Sequence, residues 1–141
     1  MKKGFTLIEL LAVIIILAII ALIATPIILR VIENAQREAA GRSVEGYAAA
    51  VNLARIEFMF ENNMAEPTAV STTEVSGGAN TTAQTINYSG AEVTCTFGNP
   101  VFDEGILQIT QCSVSGFTCV WNDRDGATRC ARGDAPAPVT P

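Results

Sequence analysis

The chain has 141 residues, enough for one small domain plus an anchoring segment. Nine Lys and Arg stand against fourteen Asp and Glu, a formal net charge of −5, and the arginines are scattered. That excludes the clustered cations that nonspecific nucleic-acid binding needs against phosphate, so no direct nucleic-acid site is expected.

There is no histidine, so the commonest general base and the commonest metal ligand are missing. Neither a P-loop nor a nucleophile paired with a base is legible, which argues against an enzyme and against a cofactor. Hydrophobic residues make up 49 % of the chain and are concentrated in the first thirty. The remainder is rich in Thr, Ser, Gly and Asn.

Residues Lys2 to Glu9 read Lys-Lys-Gly-Phe-Thr-Leu-Ile-Glu, and an almost unbroken apolar run from Leu10 to Leu29 follows. An ordinary secretory signal loses its basic residues and its apolar segment together, at a small-residue site beyond both. Here the basic leader ends at Gly4, ahead of the apolar segment, and no such site follows Leu29. Cutting after Gly4 would retain the apolar segment, start the mature chain at Phe5 and, by removing Lys2 and Lys3, take the net charge from −5 to −7.

At about 1.5 Å per residue the run spans the ~30 Å hydrocarbon core of a bilayer. Lys2 and Lys3 orient the amino terminus toward the cytoplasm, and Arg30 closes the run at the interface. Glu9 is the one charge inside, and an intramembrane carboxylate is costly unless paired, which marks it as functional.

The string Gly4-Phe5-Thr6-Leu7-Ile8-Glu9-Leu10 combines a leader, a cut site and a buried acid in fixed register. It resembles the amino terminus of the type IV pilin family, over Met1 to about Tyr47. The resemblance implies cleavage between Gly4 and Phe5 by prepilin peptidase and methylation of the new amino terminus at Phe5. It implies that Glu9 pairs with the Phe5 ammonium of a neighbouring subunit, setting the register between apolar helices. It further implies a helical homopolymer, a membrane-inserted precursor, and an assembly platform with its ATPase as partners. Pilins share a proline at the Pro26 position, so residues from about Ala18 to Pro26 are expected to stretch in a filament. Pro26 by itself predicts a kink, since it lacks an amide proton and clashes with the preceding turn.

Helical periodicity continues past the membrane segment, with Val44, Tyr47, Val51, Ala54 and Phe58 at three- and four-residue spacing and Ala48 and Ile56 flanking. One helix is therefore predicted from about Phe5 to about Met64, roughly 90 Å long if continuous, with Gly41 and Gly46 as weak points and Pro67 as its end. Glu66 to Thr85 has no apolar periodicity and reads as a surface loop. A period of two then predicts a hairpin over Thr85–Phe97, a strand at Ile106–Val114, a Ser115-Gly116 turn and a strand at Phe117–Trp121. Asn122–Gly126 is a turn cluster, and 135–141 is a Pro-rich tail that cannot pair in a sheet.

The fold class expected is α+β: a long amino-terminal helix packed against a small head of four antiparallel strands, the pilin ladle. Its parts are the leader at 1–4, a filament-core helix at 5–30, an amphipathic half at 31–65, the head at 66–134 and the tail at 135–141.

Cys95, Cys112, Cys119 and Cys130 are separated by sixteen, six and ten residues, unlike the C-x-x-C pairs of a zinc site. In an exported chain four cysteines read as two disulfides, with three pairings open. Cys95–Cys112 with Cys119–Cys130 is preferred, the second resembling the disulfide-bounded carboxy-terminal loop of many pilins, which commonly carry one bridge or none. Asn122, Asp123 and Asp125 before Gly126 resemble part of a calcium loop, but its closing acid is absent, so they read as a turn. Asn80 and Asn87 sit in glycosylation sequons, and Arg132-Gly133-Asp134 reads as part of a mobile tail.

The function expected is a structural subunit, the major pilin of a surface filament. A pseudopilin of a secretion or competence system is the alternative. Adhesion, twitching, DNA uptake and electron transport are roles that the family alone implies.

Overall fold

The computed structural model describes residues 4–77, 81–95, 100–103, 105–124, 126 and 128–133. Lys2, Lys3, Asn80 of the first sequon, Asp125, Asp134 and the tail at 135–141 lie outside them. One helix, α1 (Leu7–Glu61), precedes eight strands among the described residues, β1 (Ala69–Val70), β2 (Glu74–Ser76), β3 (Gln84–Thr85), β4 (Thr94–Cys95), β5 (Val101–Asp103), β6 (Ile106–Val114), β7 (Phe117–Asn122) and β8 (Thr128–Arg132). This is the α+β architecture of a long amino-terminal helix with antiparallel sheets, consistent with a pilin fold. The chain divides into two compact units, Met1–Ala35 and Gln36–Pro141.

In the first unit every large apolar side chain from Phe5 to Ile32 is exposed. No water-soluble monomer leaves such a surface bare. The helix is long and apolar enough here to cross a membrane.

The helix ends at Glu61, earlier than the sequence suggests and ahead of Pro67. The cause is a left-handed residue, Asn63 (φ 54°). Behind it the Met64 N–H donates to the Met59 carbonyl at 2.7 Å, the longer of the two bonds that close a Schellman motif. Asn62 fixes the exit, donating to the Phe58 carbonyl and accepting the Thr82 N–H at 2.9 Å.

In the second unit the core is one face of α1 against both sheets. Ala40, Val44, Tyr47, Ala48, Val51, Ala54 and Phe58 are buried with Val70, Val75, Ile86, Val93, Leu107, Ile109, Val114 and Phe117. Each large side chain so buried contributes about 1.5–3 kcal/mol. Ile56, expected to flank this face, is instead exposed. Tyr47 meets Tyr88 edge to face at 5.2 Å, and its hydroxyl donates to the Ser71 carbonyl. Arg55 clamps the far end of the helix. It donates to both Glu66 carboxylate oxygens and to the Gly105 carbonyl, and lies 4.6 Å over the Phe102 ring.

Where four strands were expected, the described residues form eight in two sheets. Glu66–Thr85 is not a bare loop: β1, β2 and β3 form an antiparallel three-stranded sheet, with Val70 opposite Val75 and Val75 opposite Gln84. The hairpin predicted over Thr85–Phe97 does not form, because Thr85 pairs with Glu74 while Thr94 and Cys95 pair with Ser113 and Cys112.

The larger sheet runs β4-β6-β7-β8, with β5 also on β6. The β6–β7 hairpin closes through Ser115 (φ 50°) and Gly116 (φ 82°), with Val114 opposite Phe117. Positive φ at both loop residues is the I′ turn that suits strand twist.

Candidate functional site

The Gly4–Phe5 peptide bond precedes the helix. Both residues are exposed, and nothing lies within 4 Å of where a Gly4 side chain would begin. A peptidase can therefore reach that backbone without unwinding α1. The helix begins two residues later because Thr6 caps it. The Thr6 hydroxyl accepts the Glu9 N–H at 3.3 Å, and the Thr6 N–H and hydroxyl donate to Glu9 Oε2 at 3.0 and 2.8 Å. This reciprocal capping box satisfies helix-end donors that water cannot reach in a bilayer. Glu9 Oε1 has no partner among the described residues.

The sequence reading missed the Thr6 cap. Its signal is the Thr-x-x-Glu spacing just ahead of an apolar run.

Pro26 sits inside α1, which continues through it. Its missing N–H leaves the Leu22 carbonyl without its usual donor. One residue earlier the Thr25 hydroxyl donates to the Ala21 carbonyl at 2.7 Å, a back-bond that competes with the ladder and favours bending.

In the head, disulfides join Cys95 to Cys112 and Cys119 to Cys130. Both link residues directly opposite on neighbouring strands, β4 to β6 and β7 to β8. Asn122 ends β7, and the Asp123 N–H donates to the Leu107 carbonyl. The third calcium candidate, Asp125, lies outside the described residues. Asn87 of the second sequon is exposed. The structure thus gathers Gly4, Phe5, Thr6 and Glu9 at one end of α1, and the four cysteines in the larger sheet.

Residues 1–25 match the family model of the prokaryotic N-terminal methylation motif, the class III signal peptide of type IV pilin-like proteins. The match covers the amino-terminal segment alone; it supports a type IV pilin-like or pseudopilin protein, and the motif implies processing by prepilin peptidase and assembly into a pilus-type polymer. No curated protein and no solved structure matches the chain significantly.

Proposed function

We propose that this chain is the major pilin of a type IV pilus: inserted in the cytoplasmic membrane, cut after Gly4, methylated at Phe5, and polymerised on the cell surface. The observation that carries the reading is the bare apolar surface of Phe5–Ile32 joined to a processing motif at its start. A plain anchor would need neither the cut site nor Glu9.

In the filament, neighbouring helices replace lipid as the cover for that surface, and packing holds the polymer. Glu9 Oε1 receives the Phe5 ammonium of an adjacent subunit, an attraction strengthened where water is excluded. The break at Pro26 and Leu22 is where the helix extends on assembly. Force for extrusion and retraction comes from the assembly ATPase, a partner of the chain.

The test is to shear filaments from cells and measure the intact mass of their dominant protein, with and without reductant. The reading expects a chain beginning at methylated Phe5 that gains four hydrogens on reduction. A chain confined to the membrane fraction, with surface filaments lacking it, transfers the assignment to the pseudopilin.

A further inference from the structure

One row of the larger sheet consists of cysteines. Cys95 stands opposite Cys112, Cys112 opposite Cys119, and Cys119 opposite Cys130. Directly paired residues share a face of the sheet, so four sulfurs line one face of four successive strands. The bridges close the two outer pairs. Opposed residues of an antiparallel pair lie about 4.5–5.5 Å apart at Cα, a spacing that a disulfide spans. Cys112 and Cys119 are therefore also within bridging reach of each other. Both are fully buried, whereas Cys130 is only partly covered.

A cavity of about 340 Å³ lies where β8 crosses α1, and Cys130 borders it together with Arg37, Gly41, Arg42, Glu45 and Thr128. Gly41 has no side chain to cover the sulfur: a Cβ there would lie 4.0 Å from Cys130 Sγ. Of the acids at this cavity, Glu45 accepts the Thr128 hydroxyl at 2.8 Å, and Glu38 lines the rim. Arg37 and Arg42 are exposed and hold no ion pair among the described residues.

We propose that this cavity is a thiol-exchange port, which admits a small anionic thiol to Cys130 Sγ, and that the cysteine row passes the exchange inward. The entering thiolate bonds Cys130 Sγ as the Cys119–Cys130 bond breaks, the electron pair leaving on Cys119 Sγ. A thiolate is disfavoured in an apolar interior, and Cys119 faces the Cys112 sulfur. It bonds Cys112 Sγ, the Cys95–Cys112 bond breaks, and the pair leaves on Cys95 Sγ, which takes a proton. The products are a mixed disulfide on Cys130, a Cys112–Cys119 bridge and a Cys95 thiol. No oxidant or reductant other than the entering thiol is consumed. The exchange unties both outer strands and leaves the β6–β7 hairpin stapled.

The inference is independent of polymerisation, so it is tested on the full-length chain in detergent. The chain is exposed to reduced glutathione, quenched in acid, alkylated in denaturant and peptide-mapped. Glutathione on Cys130, the alkyl group on Cys95 and a Cys112–Cys119 linkage in the same molecules support the proposal. Arg37→Ala with Arg42→Ala should slow the glutathione reaction roughly five- to tenfold, the range two surface charges supply. Cysteamine, whose thiolate is offset by its own ammonium, should react at the unchanged rate, which also reports an intact fold. Glutathione appearing first on another cysteine, the alkyl group on Cys119 with Cys95–Cys112 intact, equal slowing of both thiols, or no adduct would overturn it.

Discussion

At Glu9 one carboxylate oxygen takes both Thr6 donors while the other has no partner among the described residues. Capping and charge can therefore be separated. A glutamine retains a carbonyl oxygen for the Thr6 N–H, as glutamine does in capping boxes, but it carries no charge. Glu9→Gln should abolish sheared filaments as fully as Glu9→Ala, because the neighbour's ammonium loses its counterion. Thr6→Ala should weaken only the helix start, by about 1 kcal/mol, and still assemble. Filament yields of the three variants decide; assembly by Glu9→Gln would mean that the cap, not the charge, matters.

Gly77 is a second position where one atom decides. A Cβ there would lie 2.6 Å from Phe58 Cζ, the tip of a fully buried ring, so one of the two must shift. Gly77→Ala should destabilise the head by about 1–3 kcal/mol, as overpacking does, read as a lower Tm. Tyr47 gives a pH signature. Burial first, and the nearby Tyr88 phenol second, push its phenol well above the ordinary tyrosine range. The folded state then keeps a proton that the unfolded state releases near pH ~10, so its contribution is present below that pH and fades above it. Tyr47→Phe should flatten the alkaline fall in Tm.

Among elements, legibility follows the range of the interaction that makes each one. The α1 core face was readable from Val44, Tyr47, Val51, Ala54 and Phe58, because helical spacing is local. The β6–β7 hairpin was readable because Ser115-Gly116 supplies positive φ between two apolar-alternating runs. β1 to β3 were not, since strands of two or three residues such as Glu74–Ser76 carry too little pattern and exist through pairing. β4 was readable as a strand within Thr85–Phe97, but not the strand it pairs with: period-two alternation names no partner, and Cys95 pairs with Cys112 seventeen residues on, the pair preferred as a disulfide. At the candidate site Gly4, Phe5 and Glu9 were legible as a string, whereas the Thr6 cap was overlooked within it.

Helix composition gives a prediction at this scale too. Gly46 lies within α1, and a Cβ there would meet nothing closer than the Ser89 carbonyl at 3.9 Å. The space is open, so Gly46→Ala should recover helix propensity and stabilise by up to about 1 kcal/mol, seen as a higher Tm of the detergent-solubilised chain.

Across the whole molecule, what distinguishes a polymer subunit from an anchored domain is which apolar surface lacks cover. The head has such a surface of its own. Leu53, Ile56 and Phe60 sit at i, i+3 and i+7 on a face of α1 turned away from the core, and Phe60 is 76 % exposed. Spacing of this kind makes one continuous stripe, and a filament whose heads touch would bury it against a second copy. A lysine at Ile56 should leave the isolated chain's stability within about 0.5 kcal/mol, as surface changes usually do. It would forfeit most of the burial of one large side chain per contact, about 1.5–3 kcal/mol, repeated at every subunit. Ile56→Lys should therefore reduce sheared filament yield by at least about tenfold with the membrane pool and Tm unchanged, while Glu57→Gln beside it should not. Undiminished yield from Ile56→Lys would mean that the stripe faces solvent in the filament, and that the polymer is held by Phe5–Ile32 alone.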